Sequence, residues 1–510
     1  MAVSAILGLS RLPCSSIDDA RLQRYVSIVS RIGVPMPNSL RFVPRNRLFV
    51  AILNDDVTFL ESQVAARGDL VNATNEARTG DSLLHYAVWL GRERIFDMLV
   101  SKGATIDQRS QNRSTPLHYA CFHGRTRLAE KLLKCGAQLI SRMQGGDTPL
   151  HQAAWNGHHE IVRLLIDAAS SRALHFVRAQ KEGGECALSL ASMRRHAKCV
   201  EIMLDAGASP CARNLAGHTP VSLATASGSL TCIKAFFAWA DRQHDPASFI
   251  RDMASPEVLC AAASSGSLPL VRLLLKKGAP VMTISASDTA IRRSGAFRGA
   301  WSPVHFAAKK GHLEILKLIL AHDPESYSRA SSCTAASLSP LHLAALNGHS
   351  YVVAYLCSFS KDYVDAPARA LDTDSTPLHF AVEANGQDAI ASIRHLVNAG
   401  ANVNAQCKDG TTPLMLACTN AYYSAATLVY LLEHGADVDM KRVCHATALH
   451  IAASEGNDAA VELLLTYGAK PSMENIGGIM AEEMAEQNGH GALARQIAAA
   501  RTREERQAEH

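Results

Sequence analysis

The sequence contains no run of eighteen apolar residues, no Cys-x-x-Cys pair and no large excess of charge of either sign. Without such a run no transmembrane helix is expected, and the first ten residues lack the basic stretch that opens a secretory signal. The thirteen cysteines are an odd, scattered set, which reads as reduced usage inside a cell, so the cytoplasm or the nucleus is the expected compartment. A net charge of +4 from 51 basic and 47 acidic residues gives no overall attraction for polyanions, and no nucleic-acid partner is expected. Gly-x-x-x-x-Gly-Lys, Gly-x-Ser-x-Gly and His-Glu-x-x-His are also missing, which removes the usual signatures of nucleotide, ester and zinc-protease chemistry. Aromatic side chains make up 5% of the chain, so those that recur in a pattern carry information.

What is present is a period. A chain of 510 residues exceeds one ordinary core, since single cores stop growing at roughly 250 to 300 residues. Leu84-His85-Tyr86-Ala87, Leu117-His118-Tyr119-Ala120 and Leu150-His151-Gln152-Ala153 recur at intervals of 33 residues. The register returns at Val304-His305-Phe306-Ala307, Leu341-His342-Leu343-Ala344, Leu378-His379-Phe380-Ala381, Leu414-Met415-Leu416-Ala417 and Leu449-His450-Ile451-Ala452. Weaker copies at Leu48, Leu188, Pro220, Leu259 and Met484 bring the count to thirteen.

Each unit reads as a short helix, a turn often written Gly-His, a Leu-rich second helix and a Gly-Ala exit. Thr-Pro at 115, 148, 219, 376 and 412 starts the first helix, because Thr can cap and Pro needs no N–H in the first turn. Gly103, Gly136, Gly278, Gly400 and Gly435 supply a left-handed stop after the second helix. Neither helix can bury its Leu and Ala face alone, so pairs must stack on neighbours and give an all-α solenoid stabilised by nearest-neighbour contacts.

These residues resemble the ankyrin family, whose Thr-Pro-Leu-His-x-Ala signature stands at 115–120, 148–153 and 376–381. The expected organisation is an N-terminal capping or flexible segment at 1–45, repeats one to six at 46–240, and repeat seven with an insertion at 241–303. Repeats eight to thirteen would follow at 304–495, and a polar capping tail at 496–510. Departures from the signature at Cys186-Ala187 and Glu257-Val258, with lost Gly-Ala exits, lead us to expect fraying near 166–183 and 240–256. Residues 1–47 carry seven arginines, no lysine and two aspartates, a balance shared with mitochondrial transit peptides; the alternative is a capping helix with Leu22, Tyr25, Val26, Val29 and Ile32 on one face.

The resemblance implies that partners are gripped by hairpin tips and by the two residues after the Ala-Ala of each first helix. The first of these two positions is Trp89, Phe122 and Trp155 in successive repeats, with Leu90 beside Trp89, and later becomes Ala226, Ser264 and Lys309. A ladder of exposed aromatics is therefore expected in the N-terminal half. Arg78, Asp81, Gln111, Asn112, Gln144 and Asp147 would form its polar rim. A second candidate is the twelve-residue excess between Leu259 and Val304, expected to be a mobile basic and aromatic finger carrying Arg292, Arg293, Arg298 and Trp301.

Twenty-two histidines resemble a metal or catalytic endowment, but seven of them, from His85 to His450, share one repeat position and read as framework that bridges loop backbone through both ring nitrogens. His158-His159-Glu160 lacks a third ligand at usable spacing, so no metal, cofactor or catalytic residue is expected. The sequence reads as a monomeric, non-enzymatic scaffold or adaptor for one or more proteins. The alternative is a substrate-recognition subunit of a larger enzyme complex such as a ubiquitin ligase.

Overall fold

A computed structural model describes residues 47–75, 79–281, 301–332, 338–368, 373–384, 389–419 and 424–508. Among the described residues the regular structure is helical, with isolated bridges such as Thr74 with Ser82 and Glu474 with Met480 in place of strands. Two compact units divide the chain, one ending at Pro149 and the other starting at Leu150.

The first unit contains α1 (Arg47–Leu53), α2 (Val57–Ala66), α3 (Leu83–Leu90), α4 (Glu93–Ser101), α5 (Pro116–His123) and α6 (Thr126–Lys134). The odd-numbered first helices stack in a row, α1 on α3 and α3 on α5. Their core is Phe49, Leu84, Ala87, Leu117 and Ala120, all nearly inaccessible. Leu128, Ala129 and Leu132 bury the inner face of α6 while Lys131 reaches Asp97 of α4 at 2.8 Å on the outside. That is the apolar stripe a stacked helix needs.

α7 (Pro149–Asn156) leads into the second unit, which continues with α8 (His159–Ala169), α9 (Ala173–Val177), α10 (Ala187–Met193), α11 (Ala197–Asp205), α12 (Pro220–Ala226) and α13 (Leu230–Ala240). Next come α14 (Pro246–Met253), α15 (Pro256–Ser265), α16 (Leu268–Lys276), α17 (Pro303–Lys310), α18 (Leu313–His322) and α19 (Glu325–Ser332). The remaining pairs are α20 (Pro340–Leu346) with α21 (Ser350–Phe359), α22 (Pro377–Glu383) with α23 (Ala389–Asn398), and α24 (Pro413–Cys418) with α25 (Ser424–Glu433). α26 (Ala448–Glu455) with α27 (Asp458–Thr466), then α28 (Ala481–Gln487) with α29 (Gly491–Ala508), complete the unit. First helices α10, α12, α15, α17, α20, α22, α24, α26 and α28 each stack on the next.

Short extra helices lie within the two segments expected to fray, α9 within 166–183 and α14 within 240–256. α9 buries Phe176 and Val177. α14 starts at Pro246 behind Asp245, whose carboxylate accepts the Ser248 N–H at 3.2 Å, and buries Met253. Both use apolar side chains to replace the stabilisation lost with the Gly-Ala exit. α19 is a third such helix, anchored by Tyr327, which is fully buried against Phe359 and Tyr363.

At the C-terminal end α29 covers residues 496–508 of the stretch expected to be a capping tail. Leu493, Ala494 and Ile497 are buried on its inner face, and Arg501 pairs with Glu482 of α28 at 2.8 Å. Its other side is polar, which leaves the last repeat wettable.

Candidate partner-binding face

The face is built on two kinds of bond between repeats. In the first, the signature histidines use both ring nitrogens. His85 Nδ1 accepts the N–H of its own cap residue Ser82 at 3.1 Å, so the proton sits on Nε2, which donates to the Ser114 carbonyl of the next repeat at 3.1 Å. His118 joins Thr115 to Asp147, His342 joins Ser339 to Ser375, His379 joins Thr376 to Thr411, and His450 joins Thr447 to Ile479 in the same way. Burial holds these rings neutral, lowering His118 and His342 to about 4, and it lowers His305, whose Nδ1 accepts the Ser302 N–H at 3.0 Å, to about 4 as well. A ring with both nitrogens committed is not free for catalysis or metal ligation. Among the described residues no group of three His, Cys, Asp or Glu side chains is placed to hold a metal ion.

The second kind was not legible in advance. The residue after the left-handed turn residue, a glycine except for Arg195 before His196, donates to the carbonyl at the end of the preceding repeat's first helix. Arg92 bonds Leu53 O at 2.9 Å and Arg125 bonds Trp89 O at 3.0 Å in the first unit. In the second, His196 bonds Trp155 O at 3.1 Å, His312 bonds Ser264 O at 3.3 Å, His349 bonds Lys309 O at 2.9 Å, and Asn457 bonds Cys418 O at 3.1 Å. These carbonyls are orphans of a helix C-terminus. Tying them down fixes the backbone of the very residues singled out as partner contacts, while their side chains stay free to vary. The signal was the recurrent Gly-His turn, which reads as a turn and not as a donor.

In the first unit Phe122 is 44% exposed, with His123 edge-on at 4.9 Å. Trp89 is half-buried, edge-on to Tyr86 at 5.6 Å, and Leu90 is half-buried beside it. Trp155, in the second unit, is half-buried under the Arg194 guanidinium, 4.8 Å from the ring centre. Of the three aromatic positions, therefore, Phe122 alone is exposed in the full sense expected.

The rim residues divide. Gln111, Asn112 and Gln144 are exposed, and the Gln111 N–H bonds Thr79 O at 2.8 Å as the Gln144 N–H bonds Asn112 O at 2.7 Å, so consecutive tips are tied together. Asp147 is half-buried and gives its carbonyl to His118. Asp81 corrects the expectation of an exposed rim group: it is 6% exposed and accepts the Tyr119 hydroxyl at 2.8 Å. A buried carboxylate requires such a donor. Arg78 lies outside the described residues.

The basic finger is corrected at its end. Trp301 is 4% exposed, stacked on His305 at 6.0 Å and edge-on to Phe306 at 5.2 Å, because it directly precedes the cap of α17 and fills the space over its first turns. It is a core residue. Arg292, Arg293 and Arg298 lie outside the described residues.

Apolar hairpin tips were missed. Leu215, Val443 and Ile476 are 73%, 69% and 73% exposed. Their N–H groups bond the preceding tip, as Ile476 does to Cys444 O at 2.9 Å. Tip position, deducible only from the hairpin register, separates them from ordinary loop residues.

Stacked helix pairs, histidine-bridged loops and a variable row at the helix ends define a helical-repeat interaction module. The model for ankyrin repeats in three copies matches residues 84–175 and overlapping stretches that together run from 239 to 475, and the single-repeat model matches 183–215. The chain belongs to the ankyrin-repeat family. It is 30% identical over 237 residues to the ankyrin repeat and KH domain-containing protein mask-1 of Caenorhabditis elegans, covering 45% of this chain and 6% of that protein. A protein of Arabidopsis thaliana named as an E3 ubiquitin-protein ligase is 38% identical over 120 residues, covering 23% of this chain and 30% of that one. An ankyrin repeat protein of fowlpox virus is 34% identical over 98 residues, 19% of this chain and 28% of the viral one. The chain thus covers less than a third of each of these relatives. Among the described residues no helix is long and apolar enough to cross a membrane.

Proposed function

We propose that this chain is a monomeric, non-enzymatic scaffold or adaptor that holds partner proteins on the ends of its first helices and on its hairpin tips. The observation that carries the reading is the second set of inter-repeat bonds. It fixes the backbone at positions such as Trp89, Trp155, Ser264 and Lys309 and leaves their side chains to differ from repeat to repeat. Rigid presentation of varied side chains reduces the ordering cost of binding. The framework histidines, buried and neutral, offer no competing chemistry.

The test is affinity capture from lysate, comparing wild type with Trp89→Ala/Phe122→Ala/Trp155→Ala after both are shown to unfold at similar denaturant. Selective loss of a captured protein supports the reading. Identical profiles remove the aromatic positions from it.

A second reading, a substrate-recognition subunit of a ubiquitin ligase, is favoured by the Arabidopsis relative's name. Co-purification of a ligase core would carry it, and ubiquitin transfer to a captured protein is the outcome to look for.

A further inference from the structure

In the second unit, the row at the ends of the first helices has a charge of one sign over four consecutive repeats. At the end of α10 stand Met193, Arg194 and Arg195; at α12, Ala226 and Ser227; at α15, Ser264 and Ser265; at α17, Lys309 and Lys310. α10, α12, α15 and α17 stack in that order. Two basic pairs therefore flank a floor of small residues, and no acidic side chain occupies these positions until Glu383 at the end of α22 and Glu455 at the end of α26.

The cations are held and uncompensated. Arg194 lies over the Trp155 ring at 4.8 Å, and the Lys309 ammonium lies over buried Trp301 at 5.0 Å. Arg195 crosses to the Ser227 carbonyl of the next repeat. Arg194, Arg195 and Lys310 are exposed and Lys309 is half-buried, and among the described residues none of the four is ion-paired. Burial and the adjacent Lys310 charge lower the Lys309 pKa. Elsewhere the chain pairs such groups across repeats, as Arg242 with Asp205 at 3.0 Å and Lys277 with Asp241 at 3.2 Å.

We infer that this row is a docking surface for an acidic polypeptide segment, laid across four repeats with carboxylates on the Arg194–Arg195 and Lys309–Lys310 pairs and its backbone over the Ala226 to Ser265 floor. The inference rests on the interaction-module reading and adds the chemistry of one partner. Three repeat steps at roughly 10 Å each span about 30 Å, the length of an extended peptide of about nine residues. Small floor residues admit a backbone closely, and the rings under Arg194 and Lys309 hold each cation upright, so little side-chain entropy remains to be lost. The pairs stand too far apart for one small anion to bridge.

The experiment uses the full chain and a fluorescein-labelled decapeptide of alternating glutamate and serine, with a glutamine–serine decapeptide and a ten-nucleotide oligothymidylate alongside. The glutamate peptide binds wild type, weakens with added salt, and loses at least tenfold in affinity in Arg194→Glu/Lys310→Glu. Arg194→Lys/Lys310→Arg retains binding, and the neutral peptide does not bind. Thermal melts check that each variant folds, and Arg194→Gln/Lys310→Gln replaces the reversal should it fail. Absence of glutamate-peptide binding, binding indifferent to these variants, or tighter binding of the oligothymidylate with the same sensitivity overturns the proposal. Capture of a protein through Phe122 that persists while the acidic peptide fails to bind would sink this inference and leave the interaction module standing.

Discussion

His342 Nε2 donates to the carbonyl of Ser375 at 3.2 Å, while Nδ1 of the same ring accepts the Ser339 N–H at 3.1 Å. One side chain thus caps its own helix and ties down the next repeat's loop. Removing it by His342→Ala leaves the buried Ser339 N–H unsatisfied, at about 1–3 kcal/mol, and frees the half-buried Ser375 carbonyl. A lowered urea midpoint with local amide exchange speeding around 339 and 375 is expected. Unchanged protection at both places would contradict the bridging role.

The framework histidines make stability depend on pH. The folded-state pKa values of His85, His379 and His450 lie below the ordinary 6.5, and those of His118, His305 and His342 fall to about 4, because burial disfavours the imidazolium. Between those values the unfolded chain binds more protons than the folded one, so stability rises with pH. The contribution is fully present above about pH 6.5 and is lost progressively as pH falls toward 4. Urea titrations at pH 7.5, 6 and 5 should show the midpoint falling, and His118→Gln should flatten the dependence.

The half-buried Tyr119 donates its hydroxyl to the buried Asp81 carboxylate at 2.8 Å. Tyr119→Phe strands the carboxylate and should cost about 1–3 kcal/mol. Asp81→Asn in the same background should recover part of that loss, which a double-mutant cycle in urea measures.

Two glycines separate conformational strain from crowding. Gly311 and Gly400 both have positive φ, +76° and +98°, but a Cβ at Gly311 meets the His349 ring at 2.7 Å, while one at Gly400 meets nothing. Gly400→Ala should cost about 1 kcal/mol from backbone strain. Gly311→Ala should cost more, because it also displaces His349 from the Lys309 carbonyl. Equal losses would show that His349 swings aside freely.

Trp301 and Phe122 should behave oppositely. Trp301→Ala opens the core over α17 and is expected to destabilise by about 3–5 kcal/mol, whereas Phe122→Ala at an exposed site should stay within about 0.5 kcal/mol. Differential scanning calorimetry of the two variants is the check.

Period and helix-pair architecture were legible because the apolar face, the Thr-Pro start and the Gly stop recur at nearly fixed spacing, and each acts within a few residues of itself. The double use of the signature histidine could be read from its repetition next to a helix start. Asp81 and Trp301 could not be read in this way. A carboxylate at a hairpin and a tryptophan among arginines look exposed in a string, and only the approach of Tyr119 in one case and of His305 and Phe306 in the other buries them. The turn donors from Arg92 to Asn457 belong to the same class, since their acceptors lie about one repeat away.

What the sequence by itself determined is the module: its short-range rules of capping, periodicity and termination leave one way to bury the Leu and Ala faces, by stacking. What only the tertiary structure decided is which side chains the stack leaves in water. Arg194 and Lys309 are separated by more than a hundred residues of chain, yet their helices belong to one stacked row, because stacking converts a sequence period into spatial adjacency.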